Sequence, residues 1–263
     1  MITWIKVKTA KKKLAVFFLV FIILVISAPS YSQDSMVSSC HYRLDLIGSK
    51  YKTEANPIDS LLRPYRLQLH RIMGKIVGHT EALPLNNFPE GKLSNLTADI
   101  MEASLQRHKR IAADLALFNF RGLRKGLDSG AISLSELYEV YPFANELVYV
   151  QIQGVYLREI FELLLKNKLI GVSSSVQLQT DSSRSLISAR IKGRVLKNNR
   201  IYNMVTIDYL MQPNAGIGPV MQAKKTESIG WKMRDEILEY IQEKERKGER
   251  VEAQEDGRIF IKP

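Results

Sequence analysis

The residues best suited to chemistry are Asn119-Phe120-Arg121-Gly122-Leu123-Arg124, followed eighteen residues after Arg124 by Pro142-Phe143. Residues 113–118 read as a short apolar strand, which puts Asn119 and Arg124 on the loop at its end, where binding residues commonly lie. An Asn amide offers a donor and an acceptor to a base edge, and an Arg guanidinium is a planar fork for hydroxyl or phosphate oxygens. The face of Phe143 adds a stacking surface. Together these groups suit a nucleotide. The same residues also admit a plainer account, in which Asn119 caps a turn, Arg124 is a solvated charge and Phe143 belongs to the core.

The elements that must position them alternate along the chain. Leu61, Leu62, Tyr65, Leu69, Ile72 and Met73 recur at helical spacing, predicting an amphipathic helix packed on the body, kinked or restarted at Pro64. Residues 93–108 read as a second helix, and Ser133-Leu134-Ser135-Glu136 is a capping box opening a short helix that stops before Pro142. Val148, Val150 and Ile152 alternate with Tyr149, Gln151 and Gln153, as in a strand with one covered face; residues 157–166 read as helical. Further strands are expected at Val176 to Leu178, at residues 187–191 and at residues 201–209, the last two joined through a polar turn near Asn198-Asn199. A final helix is expected over residues 229–246, with Met233, Ile237, Leu238, Tyr240 and Ile241 on its apolar side. Mixed hairpins and helices indicate an α+β fold, a single domain with a mixed β-sheet and flanking helices.

Several blocks, in order, resemble the C-terminal, substrate-recognising domain of the 5'-nucleotidase family across residues 75–261. Ile76-Val77-Gly78-His79-Thr80 is similar to an Ile-Gly-x-Thr opening, and Glu90 to Met101 to a Glu-x-x-x-Gly-Asn-Leu-x-x-Asp-Ala-Met helix start. The run Asn119 to Arg124 resembles Asn-Gly-Gly-Gly-Ile-Arg; Gly130 to Ser133 with Leu137, then Tyr141-Pro142-Phe143-Ala144-Asn145, resemble Gly-x-Ile-Thr, Leu and Leu-Pro-Phe-x-Asn. Tyr202 to Leu210 is similar to Tyr-x-Val-x-x-Asn-x-Phe-Leu, and Asp256-Gly257-Arg258-Ile259 to a terminal Gly-Arg-Ile. The resemblance implies substrate binding by Asn119, Gly122, Arg124 and Phe143. In it the Asn meets the base, the Arg the sugar or phosphate side, and the Phe stacks on the base.

Three departures qualify that transfer. Phe120 and Arg121 replace loop glycines and add bulk where backbone should approach the ligand. The segment corresponding to Asn-Gly-Gly-Asp-Gly-Phe reads Gln212-Pro213-Asn214-Ala215-Gly216-Ile217, without the second ring or the acid, and Pro89 stands where Arg often precedes Glu90. A nucleotide is therefore expected to be clasped from one side only.

Catalytic machinery is not legible. The family's metallophosphoesterase domain holds two metal ions that activate water and stabilise the leaving oxygen. The four histidines here, His41, His70, His79 and His108, belong to no Asp-x-His, Gly-Asn-His or His-x-His group, and no glycine-flanked nucleophile elbow is present. No catalytic residue, metal ligand or cofactor is assigned to this chain; divalent metals are expected only on a separately encoded metallophosphoesterase partner. The expected role is nucleotide recognition within a 5'-nucleotidase-type phosphohydrolase, for a nucleotide or related phosphorylated small molecule. The alternative is a degenerate, non-catalytic binding or scaffold module of the cell envelope.

Lysines 6, 8, 11, 12 and 13 precede thirteen apolar residues, Leu14 to Ile26, and Ser30-Tyr31-Ser32 offers a small-x-small cleavage site, so residues 1–32 read as a signal peptide cleaved near Ser32. Thirteen helical residues span ~20 Å, short of a ~30 Å hydrocarbon layer. Residues 33–56 read as a polar tether and residues 57–263 as the domain, exported to the periplasm or cell envelope. Cys40, the single cysteine, forms no intramolecular disulfide and is an alternative lipid-anchor point. Removing the five leader lysines from 38 basic residues leaves 33 against 27 acidic ones, a net charge of +6. The excess is dispersed and not interleaved with stacking aromatics, so a nucleic-acid partner is not expected.

Overall fold

The computed structural model describes residues 57–85 and 88–262. The segments read as signal peptide and tether, with Cys40 and His41, lie outside them.

The architecture is α+β, with mixed sheets and five helices among the described residues. At its centre is a five-stranded sheet in the order β10 (Lys225–Lys232), β4 (Glu146–Gln153), β9 (Ile201–Ile207), β2 (Leu115–Asn119), β5 (Ile170–Val172). The β9/β2 pair is parallel and its other pairs are antiparallel. A second sheet of four strands runs β11 (Ile259–Ile261), β6 (Val176–Thr180), β7 (Leu186–Ile191), β8 (Arg194–Val195), with β11 parallel to β6. Strands β1 (Ile76–Thr80) and β3 (Gly130–Ser133) form an antiparallel pair. The expected single sheet is thus three sheets sharing one core.

Helix α2 (Lys92–Lys109) lies across the central sheet, burying Leu93, Ile100, Met101 and Leu105. Its C-cap, Arg110, takes a left-handed φ of 57° and returns its N–H to the Gln106 carbonyl. Helix α3 (Leu134–Val140) opens with the full capping box: the Ser133 hydroxyl accepts the Glu136 N–H, and the Glu136 carboxylate accepts the Ser133 N–H. Helix α4 (Gly154–Lys166) buries Leu157, Ile160, Phe161, Leu164 and Leu165.

Four expectations need correction. Tyr149 is buried beside Val148 and Val150, whereas Gln151 and Gln153 on its face are half-buried; its phenol donates to Asn203 Oδ1 at 2.9 Å. The last helix, α5 (Met233–Arg246), begins four residues later than expected. Residues expected to open it belong to β10, where Thr226 and Ser228 pair with Val150 and Val148 and Gly230 takes a φ of 84°, foreign to a helix. The turn near Asn198 leads from β8 to β9 in a different sheet, so β7 and β9 form no hairpin. Helix α1 (Pro57–Met73) exists, with Pro64 inside it, but does not bury its apolar stripe: Leu61 and Tyr65 are each 67% exposed. No helix among the described residues is long and apolar enough to cross a membrane.

Several cations of the basic stretches are paired. Arg107 and His108 meet the buried Glu236, Lys109 meets Glu227, Arg200 meets Asp114, and Lys244 and Lys247 meet Glu249 and Glu243.

Candidate functional site

Strand β2 carries the buried run Leu115 to Phe118 into the centre of the sheet and releases the chain at Asn119. There Asn119 Oδ1 accepts the Gly122 N–H at 3.1 Å and caps a 3₁₀ turn, Phe120–Gly122. The amide nitrogen of Asn119 makes no hydrogen bond among the described residues, so its two N–H groups remain available while its oxygen holds the turn. Gly122 matters here through its N–H. A Cβ on it would find only Asn119 Oδ1, at 3.6 Å, an ordinary contact.

Phe120 packs against the core, so its bulk does not enter the site as expected, whereas Arg121 points the replacement of the second glycine toward it. Leu123 is buried and the Arg124 N–H donates to the Val140 carbonyl at 3.1 Å, which ties this loop to the end of α3. Just beyond α3 the chain separates its aromatics. Tyr141 is buried, shares a 2.8 Å hydrogen bond with the Thr97 hydroxyl, and has its carbonyl held by Arg234; burial pushes its phenol pKa well above the ordinary value. Two residues on, Phe143 is 42% exposed, and the Arg124 guanidinium sits 5.0 Å from its ring centroid.

Asn119, Gly122, Arg124 and Phe143 thus line one pocket of about 290 Å³, together with Arg121 and Asn145. Its remaining wall is formed by Leu169, Tyr209 and Ala215. Of the plainer account, the turn-capping Asn119 is realised and the core Phe143 is not. Ala215 comes from the segment that lost its ring, yet Tyr209, from a neighbouring 3₁₀ turn (Asp208–Met211), brings a second aromatic to the pocket. That residue was missed, although it occupies the Phe position of the Tyr-x-Val-x-x-Asn-x-Phe-Leu block.

A larger cavity, about 490 Å³, lies between α2, α5 and residues 252–258. Much of its charged lining is tied into the fold. Arg258, 5% exposed, forks onto Asp99 at 2.7 and 2.9 Å, onto Asp256 at 2.8 and 3.1 Å, and onto the carbonyls of Asn95 and Val172 at 3.2 and 2.9 Å. Glu90 completes the tie by accepting from Asn95 Nδ2 at 2.6 Å and from the Asp256 and Gly257 N–H groups. Two motif blocks therefore bind each other, and the smaller pocket is the candidate site.

Two of the described histidines serve packing and pairing. His79 meets Glu245 at 2.9 Å, and His108 stacks on Trp231 at 4.3 Å while contacting Glu236. Among the described residues, no three His, Cys, Asp or Glu side chains converge as metal ligands.

The family model for "5'-nucleotidase, C-terminal domain" matches residues 76–223. The trifunctional nucleotide phosphoesterase protein YfkN of Bacillus subtilis (strain 168) is 23% identical over 249 residues, which cover 88% of this chain and 17% of that protein. The endonuclease YhcR of the same organism is 33% identical over 105 residues, 38% of this chain and 8% of that one. In three dimensions the 5'-nucleotidase precursor of Thermus thermophilus superposes with a TM-score of 0.65 at 22% identity, over 78% of this chain and 43% of that one, which establishes the shared fold. The chain spans less than a fifth of the length of YfkN and less than half of the Thermus chain. Carrying the family's blocks in order, its fold and a model match over more than half of its residues, the chain belongs to the 5'-nucleotidase C-terminal domain family.

Proposed function

We propose that this chain is the nucleotide-recognition component of a 5'-nucleotidase-type phosphohydrolase acting in nucleotide catabolism, exported to the periplasm or cell envelope. It would hold a nucleotide or related phosphorylated small molecule for a separately encoded metallophosphoesterase. The observation that carries this reading is the convergence of Asn119, Gly122, Arg124 and Phe143 on one pocket, although Phe143 is remote in sequence from the loop. In that pocket the free Asn119 N–H groups would donate to a base edge, the ring of Phe143 would take the base face, and Arg124 would meet hydroxyl or phosphate oxygens. Metal ions would activate water on the partner, and no step of bond cleavage is assigned to residues of this chain.

Two measurements test the reading. Calorimetric titration with 5'-nucleotides should give saturable heat. Hydrolysis should be absent from the purified chain with added divalent metals and should appear with the partner. No heat up to millimolar nucleotide would instead select the scaffold alternative, and robust turnover by the isolated chain would overturn the division of labour.

A further inference from the structure

Helix α1 differs from the other helices in what it leaves open. Leu61, Leu62, Tyr65, Leu69 and Ile72 are 39 to 67% exposed. At the helical period they fall within an arc of roughly 100°, a continuous apolar face along a rod of ~25 Å. The helix rests on the body near α3, where Met73 is half-buried. A face of this kind is ordinarily what stabilises a helix, by being covered.

Its charges are as distinctive. Residues 57–75 carry Arg63, Arg66, Arg71 and Lys75 against the single acid Asp59, a net charge of +3 with His70 neutral. Asp59 is taken by Arg66 at 3.0 Å, and Arg63, Arg71 and Lys75 face no carboxylate among the described residues. On α2 and α5, by contrast, Arg107, Lys109, Lys244 and Lys247 each meet a carboxylate at 2.6 to 2.9 Å. The helical period puts Arg63, His70 and Arg71 opposite the apolar arc and Arg66 at its border, where a long side chain can lay its stem on an apolar layer and keep its charge outside. Tyr65, near the middle of the arc, has an apolar body and a polar tip, which suits a boundary between oil and water.

We infer that α1 lies on the surface of an anionic phospholipid bilayer, its apolar arc between the headgroups and its cations among their phosphates. Charge selects this occupant. Unpaired cations of one sign complement an anionic lipid surface, whereas a second copy of the chain would bring the same positive helix against its like. The helix lies on the bilayer and does not cross it, since no helix among the described residues is long and apolar enough to span a membrane. This docking does not depend on what the pocket at the end of β2 binds.

The test uses the full chain with Cys40→Ser and one new thiol carrying an environment-sensitive fluorophore, at Tyr65→Cys in the apolar arc or at Ser60→Cys on the polar side. Vesicles are of phosphatidylcholine alone or of its equal mixture with phosphatidylglycerol. The label at position 65 should shift to the blue on the mixed vesicles at about tenfold less lipid than on phosphatidylcholine, and the preference should fade at about 0.5 M salt. The label at position 60 should stay in water. Arg63→Glu with Arg71→Glu should remove the preference for anionic lipid, and Leu61→Ser with Leu69→Ser should remove the shift itself. Melting temperatures should match the wild type, since these replaced side chains of α1 are exposed. Attachment through residues 14–26 alone would bring vesicles to the chain without moving the label at position 65, and would overturn the inference. A blue shift that grows with protein concentration in the absence of lipid would assign the face to a second copy. One seen only with a purified metallophosphoesterase would assign it to that protein, and either result overturns docking on lipid.

Discussion

Replacing Arg258 separates a structural from a ligand-binding role for the Gly-Arg-Ile block. Arg258→Ala removes six hydrogen bonds, four to the carboxylates of Asp99 and Asp256 and two to the backbone carbonyls of Asn95 and Val172. Breaking a fully buried ion pair costs ~3–5 kcal/mol. Here the acids are 37% and 44% exposed and regain water once released, whereas the carbonyl bonds are buried, so the lower end applies, about 3 kcal/mol. For a domain near 200 residues, ~2–4 °C per kcal/mol gives a fall in melting temperature of roughly 6–12 °C. Arg258→Lys should recover little of it, because an ammonium lacks the planar fork that meets two carboxylates at once. Circular dichroism melts read the loss, and calorimetry below the transition should show nucleotide affinity close to that of the wild type. A melting temperature within about 2 °C of the wild type, or a selective loss of binding, would refute the reasoning.

Three further outcomes are expected. Phe143→Ala should weaken nucleotide binding by ~1–3 kcal/mol with little change in melting temperature; a buried Phe would instead cost ~3–5 kcal/mol of stability, visible without ligand. Hydrogen bonds from Lys225 and Lys109, with the charges of both, hold the Glu227 carboxylate down from 4.5 to about 2. Its contribution to stability is therefore present above pH 4.5 and lost as pH falls through about 2. A carboxylate-carbon NMR titration with a midpoint near 4.5 in the wild type would refute this, and Lys109→Ala should move the midpoint upward. Deleting residues through Met73 should leave cooperative unfolding of the remainder in a thermal melt, because the apolar stripe of α1 is exposed; a collapse of the transition would show that the helix supports the core.

Local signals were legible and pairings over long sequence distances were not. The Ser133 capping box and helix α2 depend on residues three or four positions apart, and both were read in the sequence close to where they stand in the fold. Tyr149 was assigned to an open face because alternation does not report that its phenol finds Asn203 on the neighbouring strand β9. The start of α5 was placed at Ile229, although Gly230 adopts positive φ and β10, which pairs with β4, runs to Lys232. At the site, the family blocks located Asn119, Arg124 and Phe143. They did not reveal that Phe120 turns inward, that Asn119 commits its oxygen to the Gly122 N–H, or that Tyr209 arrives from another turn.

The Arg258 tie also orders events in time. Synthesis proceeds from the amino end, so Glu90, Asn95 and Asp99 emerge long before the guanidinium that joins them, and β6 waits equally for its parallel partner β11. Until residue 258 is made, two buried carbonyls and a pair of carboxylates have no counterpart, and the four-stranded sheet lacks its edge. A nascent chain of this design completes the tie between α2 and residues 256–258 only after nearly all of its core residues have already been made.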